Sequence, residues 1–329
     1  METLTKVHEK FFVEWAKDKQ DIIVISADLT KFCELKSFEK NAADRFINLG
    51  MAEQNIMSWA GGMAREGFIP MVYTFGTFAS RRPLDHLQMS IAYPNLPVKI
   101  FGFLPGITSN GGPTHQAIDD INIMTSIPNM TVIEVGDVTE IETALDVVYK
   151  TPGPVYVRSL RSIVPRIFPE GTPFELNKCK VLSEGTDVTV ITSGMMTEEA
   201  LRLTQVLIEK GVSIEHIHVS TLKPFTDLRV VEACRKSNSK VITYENHLVN
   251  GGLGTAVADL MAEHGIGKQL VKIGLRDTYA EGSQTRFILE KYKMDWKELL
   301  VQIETAIGKK FDIKEEDLKA TSVRRMESV

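Results

Sequence analysis

The sequence of 329 residues has little cysteine, no excess of positive charge and no long apolar run. Its three cysteines, Cys33, Cys179 and Cys234, are far apart and lack metal-ligand spacing, so a disulfide framework is not expected and a reducing cytoplasm is the expected location. Acidic residues outnumber basic ones by 43 to 38, which argues against a nucleic-acid-binding protein. No apolar stretch approaches the roughly 20 residues that a membrane-spanning helix needs, and the N-terminus lacks the apolar core of a signal peptide.

The length and the pattern of apolar residues indicate two α/β domains. The chain exceeds the roughly 150 residues of an ordinary domain, and 43% of it is hydrophobic, enough to form real cores. Short β-branched segments alternate with segments of helical periodicity, which is typical of a parallel sheet covered by helices on both faces. We therefore predict two doubly wound parallel-sheet domains. The strands predicted in the first half are 21–29, 46–50, 69–75, 98–103, 130–136 and 154–159, with helices such as 52–67 and 139–151 between them.

The alternation is interrupted once, over residues 162–185, which contain three prolines and two glycines without sustained periodicity. Such composition favours an interdomain linker. We predict a first domain over 1–165, a linker over 166–185, a second domain over 186–310 and a charged tail over 311–329. The tail is aperiodic, and we expect it to be loosely held.

Four side chains are predicted to gather at one edge of the first sheet. Glu53 opens the helix that follows one strand, Phe75 and Phe78 follow the next strand, and His115 lies in a glycine-rich loop after the strand beyond. The carboxyl ends of parallel strands form the ligand crevice of open α/β sheets. Each residue also has an ordinary explanation: Glu53 as a carboxylate in the first helical turn, the phenylalanines as core, and His115 as a helix cap. Their common edge favours a functional site.

Several segments resemble the transketolase family. SADL (26–29), NLGMAEQN (48–55), TFGTF (74–78) and GGPTHQ (111–116) are similar to the pyrimidine-binding domain of transketolases, and residues 190–310 resemble the C-terminal domain of the same family. The resemblance covers nearly the whole chain in the family's order. It corresponds to the C-terminal half of a transketolase, as found in the second of the two chains of split transketolases that are made from two genes.

The resemblance implies thiamine diphosphate as the cofactor, which carries a two-carbon unit taken from a ketose. By this resemblance the Glu53 carboxyl contacts N1′ of the aminopyrimidine ring and shares a proton with it, as general acid–base catalysis requires. Phe75 and Phe78 would pack against the pyrimidine, and Asp28 would lie near the cofactor across a subunit interface.

Substrate contacts are implied in the same way. His115 would hydrogen-bond the hydroxyls of the donor sugar or of the reaction intermediate, acting as a catalytic and substrate-binding residue. Arg158 matches the family's arginine that receives the sugar phosphate, a task suited to a planar fork of donors.

A complete transketolase also carries a G-D-G…N signature, which holds Mg²⁺ and the diphosphate, and the sequence contains no such signature. The resemblance therefore implies that this chain supplies no metal ligand. It also implies a separate, diphosphate-binding N-terminal subunit as the partner, an α2β2 assembly, and activity only when both subunits are present.

The family pattern is altered at three positions of the sugar site and at one position of the pyrimidine site. Phe32 stands in place of a phosphate-binding serine, Phe103 in place of a histidine, Gly111 in place of an acidic residue, and Arg81 in place of a third aromatic residue. The expected reaction is two-carbon ketol transfer between phosphorylated sugars, with a specialised enzyme such as an apulose-4-phosphate transketolase as one possibility. Two alternatives remain open: the β subunit of a 2-oxo acid dehydrogenase E1 component, and a non-catalytic assembly subunit.

Overall fold

The computed structural model describes residues 1–318 and consists of two α/β halves, each built around its own sheet. All elements are numbered in chain order. The strands are β1 (Thr3–Thr5), β2 (Ile22–Ser26), β3 (Phe46–Asn48), β4 (Ile69–Phe75), β5 (Lys99–Phe103), β6 (Thr131–Glu134), β7 (Val155–Ser159), β8 (Ile163–Pro165), β9 (Lys180–Ser183), β10 (Val188–Thr192), β11 (Ile214–His218), β12 (Thr221–Lys223), β13 (Lys240–Leu248) and β14 (Gln269–Leu275). The α-helices are α1 (Val7–Trp15), α2 (Lys36–Asn41), α3 (Glu53–Arg65), α4 (Gly76–Ser80), α5 (Leu84–His86), α6 (Asp120–Ser126), α7 (Val138–Lys150), α8 (Met196–Glu209), α9 (Leu228–Lys236), α10 (Leu253–Glu263), α11 (Thr285–Lys291) and α12 (Trp296–Ile307).

The first sheet has seven strands in the order β12-β6-β7-β5-β4-β2-β3, and all of them except β12 run parallel. Every residue of β2, β5 and β7 is buried. The burial follows from the connections, because each parallel crossover places a helix on one face of the sheet. The order places the ends of β3, β2, β4, β5 and β7 side by side at one edge.

The second sheet has five strands in the order β14-β13-β10-β11-β9, of which β9 is antiparallel to β11 and the others are parallel. The α/β class with two parallel-dominated sheets is thereby confirmed. Both halves also share a local pattern, in which a buried apolar strand leads through a short turn into an amphipathic helix. None of the helices in the described part of the chain is long and apolar enough to cross a membrane.

The segments predicted as linker and tail contain more structure than their composition suggests. Within 166–185, β9 pairs with β11 of the second sheet, and just before this segment β8 pairs with β1. Within 311–318, Ile313 and Leu318 are buried, and Trp296 donates a hydrogen bond from Nε1 to Glu315 at 2.8 Å. This part of the predicted tail is therefore packed rather than loose, and the remainder of the tail lies outside the described residues.

The two halves are joined by more than the chain connection. Strand β12, which follows the start of the second half, pairs with β6 of the first sheet. Asn246, in β13, accepts a hydrogen bond from the Ile107 backbone at 3.0 Å and donates one to the Pro105 carbonyl at 3.0 Å. Gly106 lies between these two residues with φ +57°, and a side chain there would collide with Asn246. The loop after β5 is thus fixed from both halves.

Candidate active site

Five neighbouring strands end at the edge that carries the predicted residues. The turn after β2 carries Asp28, the turn after β3 leads to Glu53 at the start of α3, and β4 ends at Phe75. Phe78 lies in the short helix α4 that follows β4, and His115 lies in the long loop after β5. Parallel strands place such residues together because their carboxyl ends meet at one edge.

Phe75, Phe78 and His115 form a continuous aromatic cluster. The ring centroids of Phe75 and Phe78 are 5.7 Å apart, and the His115 ring lies 5.3 Å from Phe78 and 6.2 Å from Phe75. Phe32 extends the cluster, with its ring 6.2 Å from Phe75. Phe75 is buried, whereas Phe32, Phe78 and His115 are half-buried. The cluster therefore has a rigid base and an accessible side.

The Glu53 carboxylate adjoins this cluster through Arg82, a residue that no sequence motif singled out. Glu53 is only 2% exposed, yet Arg82 Nη1 donates to Oε1 at 2.9 Å and to Oε2 at 3.0 Å. The guanidinium carbon of Arg82 lies 3.8 Å from the centre of the Phe78 ring. The arginine thus brings Glu53 and Phe78 into one site. The sequence signal for this contact is a pair of adjacent arginines, Arg81 and Arg82, three and four residues after Phe78.

Asp28 lies on the same edge and is exposed. It adopts φ +61°, and its backbone N–H donates to Asn48 Oδ1 at 3.1 Å while Asn48 Nδ2 donates back to Asp28 Oδ1 at 3.3 Å. Asn48 also accepts from the Gly50 N–H at 3.0 Å. This pair of bonds ties the turn after β2 to the turn that leads into α3, and it presents the Asp28 side chain to solvent.

Two of the positions that depart from the family pattern shape the His115 loop. Arg81 pairs with Asp119 at 2.8 Å and donates to the carbonyls of Pro113 at 3.5 Å and Gln116 at 3.3 Å. Arg81 therefore clamps the loop on both sides of His115. A Cβ at Gly111 would lie 3.0 Å from Cγ of the imidazole, closer than nearly all real contacts, so the glycine leaves room for the ring.

Phe103, the third departure, lies in the core instead of on the accessible side. Its ring is fully buried, 5.7 Å from that of His8 and 6.3 Å from that of Tyr73. A phenylalanine in this position is stabilised by the apolar and aromatic groups around it. It contributes to the floor beneath the site.

Arg158 is not brought to the accessible cluster. It is fully buried, with Nε donating to Asp120 Oδ2 at 2.8 Å, Nη1 bonded to Glu134, and Nη2 donating to the Ala117 and Asn246 carbonyls at 2.8 and 3.0 Å. Burial acts to lower the pKa of Arg158, but the two carboxylates outweigh it and raise the pKa. Arg158 therefore lies at an in-strand position of β7 with its side chain in the interior, where its bonds join the two halves.

Arg161 is a second arginine that no sequence motif singled out. It follows the end of β7, and its guanidinium carbon lies 5.6 Å from the centre of the Phe32 ring, at the end of the aromatic cluster. Its Nε and Nη1 atoms are buried and have no hydrogen-bond partner among the described residues. Burial lowers the pKa of Arg161, an effect that Glu34 partly offsets. Since arginine N–H groups are rarely left unpaired when buried, this guanidinium is suited to an anionic ligand.

Among residues 1–318, no group of three or more His, Cys, Asp or Glu side chains is arranged to hold a metal ion. The polar side chains at this edge include the carboxylates of Glu53 and Asp28, the imidazole of His115 and the guanidinium groups of Arg82 and Arg161. They can share a proton with a ring nitrogen, hydrogen-bond a hydroxyl and bind an anion.

The fold and this site define the class of protein. Residues 2–166 match the family model of the transketolase pyrimidine-binding domain, and residues 177–296 match that of the transketolase C-terminal domain. The chain therefore belongs to the transketolase family and corresponds to its pyrimidine-binding and C-terminal domains.

Individual proteins and one solved structure give a more specific comparison than the family models. The chain is 39% identical to a transketolase family protein of Sinorhizobium fredii, over 87% of this chain and 84% of that protein. It is 37% identical to a 6-deoxy-6-sulfo-D-fructose transketolase subunit of a Clostridium species, over 90% of this chain and 92% of that protein. A solved structure described as a split gene transketolase, an inactive β4 tetramer, superposes with a TM-score of 0.84 at 35% identity, covering 92% of this chain and 97% of that one.

Proposed function

We propose that this chain is the β subunit of a thiamine-diphosphate-dependent transketolase that transfers a two-carbon ketol unit between phosphorylated sugars. The observation that carries the proposal is the buried Glu53 carboxylate beside the accessible aromatic cluster, at the carboxyl edge of a pyrimidine-binding domain. The similarity to transketolase subunits supports it. The dehydrogenase and assembly-subunit alternatives have no comparable observation in their favour.

The residues present fit the aminopyrimidine half of thiamine diphosphate. A planar heterocycle gains affinity from aromatic faces, which Phe75 and Phe78 provide, and its ring nitrogen needs a carboxyl partner, which Glu53 provides. When bound, the cofactor supplies a reactive carbon that holds the two-carbon unit during transfer. We propose that Glu53 shares a proton with the ring nitrogen and that the two phenylalanines fix the plane of the ring. Asp28 is proposed to face the same cofactor from its exposed turn.

His115 is proposed to bind the sugar. Its Nδ1 is 2.8 Å from the Thr114 hydroxyl, which fixes the orientation of the ring and leaves Nε2 for a substrate hydroxyl. Gly111 and Arg81 support this placement, since the first leaves space for the ring and the second holds the loop. An imidazole in this position can donate a hydrogen bond to a sugar hydroxyl or accept one from it.

We propose that Arg161, in place of Arg158, receives the phosphate of the sugar. Its buried Nε and Nη1 atoms lack partners, whereas all three nitrogens of Arg158 are engaged. A guanidinium with free N–H groups binds phosphate through two parallel hydrogen bonds. The residue is linked to the cofactor pocket through Phe32, whose ring contacts that of Phe75.

The proposed assembly concerns the ligands of Mg²⁺ and of the diphosphate, which a pyrimidine-binding domain does not supply. We propose that a separate diphosphate-binding subunit supplies the Mg²⁺ ligands and that the two chains form an α2β2 complex in the cytoplasm. The substrate is proposed to be a specialised sugar, because Phe32 and Gly111 stand where the family pattern has polar side chains. A sulfonated sugar, by similarity to the Clostridium subunit, and apulose 4-phosphate are the candidates to assay first.

The proposal is tested by the variant Glu53→Gln in the reconstituted complex. The amide keeps the shape of the side chain but cannot share a proton, so kcat should fall by about 10²–10⁴-fold, the usual contribution of general acid–base catalysis. Glu66→Gln is the matched control, because Glu66 caps the other end of α3 and is exposed. A Glu53→Gln complex that assembled normally and kept the wild-type kcat would refute the assignment.

A further inference from the structure

Arg82 makes contacts of the same kinds that the proposed function assigns to the aminopyrimidine ring. Its Nη1 donates to both carboxylate oxygens of Glu53, at 2.9 and 3.0 Å. Its guanidinium carbon lies over the Phe78 ring, 3.8 Å from the ring centre. A planar cation thus bonds to Glu53 and lies over Phe78.

The guanidinium group of Arg82 and an aminopyrimidine ring share the features on which these contacts depend. A guanidinium is flat, carries N–H donors in its plane and stacks on aromatic faces. An aminopyrimidine that shares a proton with a carboxyl is also flat, with in-plane N–H donors. Since Arg82 engages both oxygens of Glu53 and one face of Phe78, the arginine and the ring cannot make these contacts at the same time.

Arg82 is also free to move, unlike its neighbour. Its side chain is 45% exposed, and Glu53 is its only hydrogen-bond partner within residues 1–318. Arg81, by contrast, is anchored by Asp119 and by two backbone carbonyls. The ion pair is exposed only on its Arg82 side, since the Glu53 side chain is 3% exposed. Arg82 can therefore leave the site when an N–H donor of a ligand takes its place beside the buried carboxylate.

We propose that Arg82 is a displaceable latch that competes with the aminopyrimidine of the cofactor for Glu53 and must swing aside before the ring binds. The inference rests on the proposed function, because it takes Glu53 and Phe78 as the pyrimidine site. It predicts that Arg82 weakens cofactor binding, the opposite of what an arginine beside an anionic cofactor normally does.

The test is direct titration of the full-length chain with 4-amino-5-hydroxymethyl-2-methylpyrimidine, the aminopyrimidine half alone, followed by calorimetry. Arg82→Gln and Arg82→Ala should bind this probe about 10-fold more tightly than the wild type, since both variants lose a competing ion pair and a competing cation–π contact. Arg65→Gln, exposed at the end of helix α3, which begins at Glu53, is the matched control and should bind like the wild type. Thermal unfolding checks that each variant is folded.

The outcomes distinguish a failure of the proposed pyrimidine site from a failure of the proposal for Arg82. Glu53→Gln should weaken binding of the probe; if it binds the probe like the wild type, the pyrimidine site is elsewhere and the proposed function fails together with the latch. If Glu53→Gln weakens binding but both Arg82 variants bind equally or more weakly than the wild type, the latch is overturned and the site stands. High salt should reduce the difference in probe affinity between the wild type and Arg82→Gln, because it screens the ion pair that competes with the probe.

Discussion

Replacing Arg158 by methionine should destabilise the protein instead of altering substrate affinity. The substitution leaves the buried carboxylates of Asp120 and Glu134 without their cation and removes the donor of the Ala117 and Asn246 carbonyls. Breaking a buried ion pair in this way costs about 3–5 kcal/mol, and each unpaired buried carbonyl adds about 1 kcal/mol or more. Tyr156 still donates to Asp120 at 2.6 Å, which retains part of the network. We expect a loss of about 5 kcal/mol in the free energy of unfolding.

Urea unfolding, followed by circular dichroism, compares the free energies of unfolding of Arg158→Met and Arg161→Met. Arg161→Met should cost about 1 kcal/mol or less, because two of its nitrogens lack partners and burial already disfavours its charge. In the reconstituted enzyme, Arg161→Met should raise KM for phosphorylated sugars more than for their unphosphorylated forms. An Arg158→Met variant within about 1 kcal/mol of wild type that showed this KM effect itself would refute the reasoning.

Three further outcomes are expected. Burial lowers the pKa of His8 and of His216 to about 3, so the unfolded chain binds more protons than the folded one between about pH 6.5 and 3. The free energy of unfolding should therefore fall by about 2 kcal/mol per histidine between about pH 6.5 and 5. His8→Phe should reduce this fall, as measured by urea titrations at the two pH values. Gly106→Ala should lose about 2–4 kcal/mol in the same assay, because φ is +57° and the new Cβ collides with Asn246. Gly111→Asp should lower kcat/KM of the reconstituted enzyme about 10-fold or more instead of improving it, because its Cβ displaces the His115 ring.

The architecture was predictable because its signals are local. Each buried parallel strand is a short apolar run, and the predicted strands contain the observed β2 to β7. The same pattern predicts which residues follow the strand ends, so Glu53, Phe75, Phe78 and His115 could be assigned to one edge from the sequence. Apolar runs and helix starts depend on nearby residues.

The roles of the arginines were not predictable, because they depend on where each side chain points. Arg158 and Arg161 are three residues apart, but the first lies within β7 and faces buried carboxylates, while the second follows the strand and reaches Phe32. The ion pair of Arg82 with Glu53 joins residues 29 positions apart. Matching a motif selects a residue type, whereas burial and charge partners decide its function.

Long-range pairing explains the other differences. Strand β12 crosses to the first sheet, and β9 in the predicted linker joins the second sheet as an antiparallel edge. Three- and four-residue strands carry no reliable periodicity, since their stability comes from the partner strand. The start of the predicted tail is fixed by Arg202, Arg286 and Trp296, which all bond to Glu315. These partners are distant in sequence and leave no local signal.

The most direct test of the central claim is a ketol-transfer assay with the diphosphate-binding subunit, performed on each subunit alone and on their mixture. With thiamine diphosphate, Mg²⁺ and a panel of ketose and aldose phosphates, we expect turnover only in the mixture and its loss with Glu53→Gln. The wild-type mixture should also sediment as an α2β2 complex. Robust transfer by this chain alone, or full activity of the mixture with Glu53→Gln, would contradict the account of a shared site built around Glu53.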